Sequence, residues 1–171
     1  MPVPAIKRLS LGIFWNFYAF FRPKIKKFRN VMLYKSVQSE VITGPFFTLF
    51  HKNKSKVYVP CVCGDNITPM LLDKNAVCKK AAFGIPEPIK KIELKSLESL
   101  DLVIVPGIAF DRKGNRIGFG KGFFDKFLNK LPKKTLKVAI AFSSQIVNKT
   151  HAKKHDVKMD YIVTEKEVIQ P

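Results

Sequence analysis

The sequence is poor in acidic residues and in arginine, and it has no long apolar run. Its 171 residues carry 31 lysines and arginines against 13 aspartates and glutamates, a formal net charge of +18 at pH 7. Only five of the 31 cationic residues are arginines. Because arginine is the side chain best suited to reading base edges, the charge does not indicate sequence-specific recognition of nucleic acid. No apolar run approaches the roughly 20 residues that cross a bilayer, which excludes an ordinary membrane span.

Cysteine is also scarce, with Cys61, Cys63 and Cys78 as its three occurrences. Cys61 and Cys63 are separated by one residue instead of the two of a zinc knuckle, and no second pair follows. A chain of this length suits one domain with its own core and needs no disulfides. We therefore expect reduced thiols and a cytoplasmic location.

The first 28 residues form an atypical segment that is aromatic and basic. An apolar stretch at residues 9–21 follows Lys7 and Arg8 and precedes a second group of cations, which is the order of a secretory signal. No small-residue cleavage motif follows, and Trp15 and other amphipathic residues interrupt the stretch. We expect an amphipathic helix that packs on the domain, the favoured reading, or lies on an anionic surface.

Strand-like runs alternate with helical segments across residues 29–171. The runs at 100–105 and 136–142 are almost wholly apolar, as in parallel strands that are buried on both faces. The other predicted strands are residues 31–34, 56–60, 67–72 and 161–164, and the predicted helices are residues 40–52 and 122–131. This alternation predicts a single three-layer α/β/α domain around a mainly parallel, Rossmann-like sheet.

Candidate chemistry is concentrated in one glycine-rich segment. Gly118, Gly120 and Gly122 alternate with other residues, and glycine allows the backbone a positive φ and a close approach to a ligand. Successive N–H groups in such a loop can bind an anion, assisted by the N-terminus of the following helix. Lys121 lies within reach of a phosphate there, and Asp125 is placed to hold hydrated Mg²⁺. The pattern is neither a dinucleotide motif nor a P-loop. An ordinary loop accounts for the glycines alone, but the attached lysine and aspartate favour phosphate binding.

This segment resembles the signature of the 5-formyltetrahydrofolate cyclo-ligases, also called 5,10-methenyltetrahydrofolate synthetases. The signature is VPGIAFDRKGNRIGFGKGFFDKFL at residues 105–128. Further landmarks follow in the family's order: YKSVQSEV at 34–41, KVYVP at 56–60, FGIPEP at 83–88 and HDVKMD at 155–160. The resemblance covers about residues 29–166. It implies that ATP and Mg²⁺ are used to convert 5-formyltetrahydrofolate into 5,10-methenyltetrahydrofolate, ADP and phosphate.

The resemblance also implies an ATP site, in which Lys121 and Arg116 have catalytic roles at the phosphates. The residues implied in ATP binding are Lys7, Arg8, Arg116, Ile117, Gly118, Phe119, Gly120, Lys121, Gly122, Phe123 and Phe124.

Four further residues are implied in binding folate and metal. Glu40 and Phe83 would contact the folate, and Asp125 and Asp156 would hold Mg²⁺. Taken singly, Glu40 is also typical of a solvated helix start, Asp156 of a turn and Phe83 of a loop anchor. The shared order of the motifs favours the functional roles.

Three features depart from the family pattern. The cationic pair of the family's N-terminal helix is incomplete, because Leu11 follows Lys7 by one helical turn. Phe123 and Phe124 replace a common pair of tyrosines, and Phe119 replaces a residue that is polar or basic in some relatives. We predict an active, monomeric cyclo-ligase without a specific nucleic-acid partner. Two alternatives stay open, an ATP-binding pseudoenzyme of the same fold and a basic nucleic-acid-binding protein.

Overall fold

The computed structural model describes residues 3–37, 39–80, 86–150 and 156–171. The helices are α1 (Val3–Ile25), α2 (Gly44–Lys52) and α3 (Phe123–Leu128). The strands are β1 (Asn30–Met32), β2 (Lys56–Cys63), β3 (Asn66–Leu71), β4 (Cys78–Lys80), β5 (Pro86–Pro88), β6 (Leu102–Val105), β7 (Ala109–Asp111), β8 (Arg116–Ile117), β9 (Leu136–Ile140), β10 (Ile146–Val147), β11 (Tyr161–Val163) and β12 (Val168–Ile169).

The described strands form a seven-stranded sheet in the order β12-β11-β9-β6-β1-β2-β3. Its five inner strands run parallel, while β3 and β12 pair antiparallel at the two edges. All four residues of β6 are buried, as its apolar sequence predicts. The expected α/β domain with a mainly parallel sheet is thereby confirmed.

Helices α1 and α2 pack on one face of this sheet through aromatic side chains. Phe17 and Phe21 of α1 are fully buried, and the Phe17 ring centroid lies 5.1 Å from that of Phe46 and 6.2 Å from that of Phe50 in α2. Phe110 and the C-terminal half of α3 contribute to a second core on the other face. The prediction that the N-terminal helix packs on the domain is therefore confirmed. Within the described residues, no helix combines the length and apolar character needed to cross a membrane.

Two predicted helix boundaries were wrong. The helix expected over residues 40–52 begins at Gly44, because Pro45 suits a first helical turn and not a helix interior. The helix expected over residues 122–131 is the six-residue α3. Gly122 has φ +68°, outside helical geometry, and therefore precedes the helix as its N-cap residue.

The carboxyl ends of the parallel strands gather several loops at one edge of the sheet. Pro106 and Gly107 follow β6, and residues 142–145 follow β9. Helix α1 crosses the same edge, where the Ser10 hydroxyl accepts a hydrogen bond from the Ile42 N–H at 3.1 Å. Because ligands of open α/β sheets bind outside the carboxyl ends of the strands, this edge is where a site is expected.

Candidate functional site

The glycine loop is anchored by the antiparallel hairpin of β7 and β8. The buried Asp111 carboxylate accepts hydrogen bonds from the backbone and side chain of both Asn115 and Thr150, and from the Lys113 N–H. Burial alone would raise the pKa of Asp111. The hydrogen bonds from Asn115 and Thr150 outweigh burial and hold that pKa well below its ordinary value of 3.8. The ionised carboxylate therefore fixes the turn that leads into Arg116.

The glycine loop has the backbone conformation that its sequence predicts. Gly120 and Gly122 have φ values of +87° and +68°, in the left-handed region that favours glycine. None of the backbone hydrogen bonds of the described residues uses the N–H of Gly118, Phe119, Gly120 or Gly122 as its donor. The loop therefore has N–H groups available for an anion.

Arg116 and Asp125 form an ion pair beneath the glycine loop. The Arg116 side chain is only 3% exposed, and its Nη2 donates to Asp125 Oδ1 at 2.5 Å. Its Nη1 donates to the Pro106 carbonyl at 3.2 Å, and the guanidinium lies 5.8 Å from the centroid of the Phe124 ring. A Cβ at Gly118 would come within 2.7 Å of Arg116 Nη1, so any larger residue there would require the guanidinium to shift away from its partners. Arg116 thus supports the loop from below, and its predicted contact with ATP stays a prediction.

Of the other loop residues, two are exposed to solvent and two pack on the second core. Lys121 is exposed, and the Phe119 ring is 63% exposed at the surface of the loop. Phe123 and Phe124 are half-buried and pack on the second core. In this chain these two rings therefore have a packing role that needs no phenolic hydroxyl.

Glu40 lies in a cavity of about 240 Å³ that also borders the glycine loop. Tyr34, Pro106, Gly107 and Phe119 are among its other lining residues. Burial raises the pKa of Glu40 above its ordinary 4.5, and a hydrogen bond from the Val37 N–H to Oε2 at 2.8 Å offsets only part of this effect. The cavity therefore brings the predicted folate contact next to the predicted ATP loop.

Gln145 lines the candidate site, although it was not among the residues predicted from the sequence. Its Oε1 accepts a hydrogen bond from the Phe142 N–H at 2.8 Å, and its Nε2 donates to the carbonyls of Gly107 and Ile108 at 3.0 Å each. It also lines the Glu40 cavity. Its position after a buried parallel strand, at the edge where ligands bind, is the one signal that points to it.

The two predicted magnesium ligands, Asp125 and Asp156, stay predictions. Among the residues that the structure describes, no three histidine, cysteine, aspartate or glutamate side chains gather into a metal site. Mg²⁺ does not require such a group, because it takes one or two carboxylates and completes its shell with phosphate and water. The Asp125 carboxylate is 39% exposed beside the loop, and Arg116 engages its Oδ1. Asp156 is half-buried and stays a predicted second ligand.

Three further predicted residues are less well defined. Lys7 and Arg8 are exposed on α1, within one turn of Ser10 and hence near the carboxyl edge of the sheet. Their contact with ATP stays a prediction. Phe83 lies outside the described residues.

The chain is similar in sequence to known proteins over most of its length. The model of the 5-formyltetrahydrofolate cyclo-ligase family matches residues 19–165. A probable 5-formyltetrahydrofolate cyclo-ligase of Schizosaccharomyces pombe is 30% identical over 165 residues, which cover 86% of this chain and 80% of the relative. The mouse 5-formyltetrahydrofolate cyclo-ligase is 28% identical over 149 residues, which cover 80% of this chain and 73% of the relative.

Solved structures are similar over nearly the whole chain. The NMR structure of Aquifex aeolicus 5,10-methenyltetrahydrofolate synthetase has a TM-score of 0.85 and 34% identity, and the match covers 99% of this chain and 84% of that one. A 5,10-methenyltetrahydrofolate synthetase from Mycoplasma pneumoniae has a TM-score of 0.77 at 24% identity, covering 96% of this chain and 90% of that one. The second similarity concerns the fold alone.

Proposed function

Because the chain belongs to the 5-formyltetrahydrofolate cyclo-ligase family and is an enzyme of that family, we propose that it converts 5-formyltetrahydrofolate into 5,10-methenyltetrahydrofolate. ATP would be the co-substrate and Mg²⁺ the cofactor, and ADP and phosphate would be released. The observation that carries the proposal is the cavity shared by the two predicted sites. Phe119 of the glycine loop and Glu40 line the same cavity of about 240 Å³. A reaction between two bound ligands requires such adjacency.

The proposed reaction asks the protein to position its substrates and to stabilise charge. The formyl oxygen of the folate takes the terminal phosphoryl group of ATP, and ADP leaves. N10 then attacks the activated carbon and loses its proton to solvent, and phosphate leaves as the ring closes. No protein nucleophile is needed, so preorganised donors account for the catalysis. Lys121 and the free N–H groups of the loop would bind the phosphates. The Glu40 carboxylate would accept hydrogen bonds from the folate ring.

Magnesium fits the same arrangement through Asp125. When bound, the cation would neutralise charge on the phosphate oxygens, which is its usual contribution to phosphoryl transfer. Asp125 would supply a carboxylate ligand, and its pairing with Arg116 through Oδ1 would fix the direction of the carboxylate. Arg116 is in this proposal a positioning residue.

The deciding experiment is a turnover assay with the full chain. The protein is incubated with 5-formyltetrahydrofolate and Mg-ATP, and the absorbance of methenyltetrahydrofolate is followed. Product formation supports the proposal. Binding of ATP without product would favour the pseudoenzyme, and tight, strongly salt-dependent binding of RNA without turnover would favour a nucleic-acid-binding protein.

We also propose a cytoplasmic, monomeric enzyme without a specific nucleic-acid partner. The three cysteines are free thiols, which is consistent with a reducing compartment. Light scattering during gel filtration tests the monomer directly, since a dimer would elute with twice the chain mass of 19.5 kDa.

A further inference from the structure

A second cavity lies at the opposite edge of the sheet from the candidate active site. It is a groove of about 590 Å³, which we call the basic groove. Its 12 lining residues include the cations Arg112, Lys113, Lys133, Lys134 and Lys158 and the carboxylate of Asp160. Leu136 and Ile140 are the two ends of β9, and Leu136 lines the groove while Ile140 lines the Glu40 cavity. At about 3.3 Å per residue, the strand separates the two cavities by about 13 Å.

The groove is much richer in cations than the chain as a whole. Five of its 12 lining residues are lysine or arginine, against 31 of 171 in the sequence. They come from three separate segments, the β7–β8 turn, the loop before β9 and the residues before β11. The general excess of lysine therefore does not account for the groove by itself.

Few carboxylates compensate this charge. The carboxylate of Asp160 is already engaged, because it accepts a hydrogen bond from the Lys137 N–H at 2.7 Å and pairs with Lys137 Nζ at 2.9 Å. Among the described residues, Lys113, Lys133 and Lys158 have no ion pair.

The remaining two cations of the groove are paired only at the surface. Arg112 pairs with Glu167, and Lys134 lies 3.7 Å from Glu98. All four of these side chains are exposed, and such pairs exchange readily for another anion because they contribute little to stability.

The size of the groove and its lysines together define a class of ligand. A volume of about 590 Å³ is that of a small-molecule site. Lysine ammonium groups bind phosphate as point charges, without the planar geometry that arginine requires. Several uncompensated ammonium groups around so small a volume suit an anion that concentrates several charges on adjacent phosphates.

We propose that the basic groove is a binding site for a compact polyphosphate anion, separate from the candidate ATP site. The ligand is inorganic triphosphate or the triphosphate group of a nucleotide. The site stands on the groove alone and does not depend on the proposed enzymatic function.

The test is calorimetric titration of the full chain with inorganic tripolyphosphate, with ATP and adenosine in parallel. A groove variant, Lys113→Glu with Lys158→Glu, is compared with a control variant, Lys90→Glu with Lys95→Glu. The control lysines are exposed, lie outside both cavities and change the net charge equally. We expect the groove variant to bind tripolyphosphate about tenfold more weakly or worse, because four units of charge change next to the ligand. Binding by the control variant should weaken far less than binding by the groove variant, and adenosine should not bind the groove.

Chemical-shift mapping locates the site without any substitution. Tripolyphosphate should shift the amide signals of residues 112–113 and 158–161 in the wild-type protein. Comparison with ATP shows whether the nucleotide also reaches the groove. If the glutamate variant does not fold, Lys113→Gln with Lys158→Gln replaces it.

Three results would overturn the proposal. Equal weakening in the groove and control variants would mean diffuse attraction to the whole surface. Loss of tripolyphosphate binding on Lys121→Ala alone would place the anion at the glycine loop. Much tighter, groove-dependent binding of an oligouridylate than of tripolyphosphate would make the groove a nucleic-acid surface.

Discussion

Lys121 is the side chain best placed to separate a catalytic role from a structural one. It is exposed in a loop where Gly120 and Gly122 hold left-handed conformations. We predict that Lys121→Ala lowers turnover by about 10²–10³-fold, because one preorganised donor to developing charge is lost. Its Tm should change little. Lys126→Ala, an exposed lysine on the following helix, is the control and should retain both properties. Equal losses of turnover and stability in Lys121→Ala would show that the residue is structural.

Asp125 is expected to control the magnesium requirement. In Asp125→Asn the amide oxygen can still accept the hydrogen bond from Arg116, but the negative charge is absent. We predict that turnover then saturates only at higher Mg²⁺ concentrations. Because the Arg116 side chain is only 3% exposed, the loss of its counter-charge should also cost about 1–3 kcal/mol of stability. The measurement is a Mg²⁺ titration of turnover at saturating ATP, beside urea unfolding. An unchanged titration would remove Asp125 from the metal site, and Asp156→Asn tests the second predicted ligand in the same way.

The partly buried Glu40 should impose an acid limit on activity. Its pKa is raised above 4.5, so the protonated form persists to higher pH than in an exposed glutamate. If the ionised form accepts hydrogen bonds from the folate, kcat/KM should fall as the pH drops toward this raised pKa. Glu40→Gln should remove that acid limb and lower kcat/KM at neutral pH by about 10–100-fold.

A stability measurement separates this role from a purely structural one. Because the folded pKa of Glu40 is raised, its ionisation disfavours the folded state as the pH rises through that pKa. Glu40→Gln should therefore unfold at about pH 8 with a free energy no smaller than that of the wild type. A variant that is inactive because it is unfolded would contradict the proposed role.

At the level of elements, the sequence is informative where burial alone determines structure. The central strands β6 and β9 are apolar throughout, and both were predictable within two residues at each end. The two-residue strands β8 and β10 are too short to show a pattern, and β10 pairs with β7, which lies far from it in the sequence. Helix α1 continues through Pro23 to Ile25, since a proline in a last turn removes one hydrogen bond without breaking the helix.

In the candidate site, too, some features were predictable from the sequence and others were not. The glycine loop was predictable because its positive φ angles favour glycine, so the conformation of the loop is visible in its residue types. The Arg116–Asp125 pair and the hydrogen bonds of Gln145 were not. The pair depends on how the glycine loop folds back between residues nine apart, and Gln145 bonds to a loop 37–38 residues away. Glu40 was identified by resemblance, and its burial against the loop required the fold.

The β7–β8 hairpin should lose stability in acid through Asp111. Its pKa is depressed in the folded state, so the ionised carboxylate stabilises the fold above the ordinary value of 3.8. That contribution is lost as the pH falls below 3.8 toward the folded pKa. We predict that Asp111→Asn lowers the free energy of unfolding by about 1–3 kcal/mol at neutral pH. The difference in stability between the wild type and this variant should become smaller in acid. Urea unfolding across this range measures it, with the exposed Asp65→Asn as control. If the difference in free energy of unfolding between the wild type and Asp111→Asn does not change with pH, the turn depends on the shape of the Asp111 side chain and not on its charge.

For the molecule as a whole, the parallel sheet separates the two regions that are proposed to bind anions. Its carboxyl edge carries the glycine loop, and its amino edge carries the basic groove. Part of the +18 charge is therefore organised at particular places, although the sequence alone presents it as a uniform excess of lysine. An anionic substrate approaching the carboxyl edge still experiences the field of all these charges.

This field predicts a specific dependence of the kinetics on salt. ATP is anionic and the protein is strongly cationic, so the long-range field should raise the rate of encounter and the affinity. Raising the ionic strength from about 0.01 to about 1 M shortens the Debye length from about 30 to about 3 Å and screens that field. We predict that kcat/KM for ATP falls steeply across this range while kcat changes much less, because contacts inside the filled site are screened less than the approach to it. Initial rates at fixed free Mg²⁺ measure both constants. In the Lys90→Glu, Lys95→Glu variant, kcat/KM should fall less steeply with ionic strength, because the two substitutions lower the net charge away from the site. A kcat that falls in parallel with kcat/KM would show instead that salt acts on the bound complex, and the lysine excess would then have no part in substrate capture.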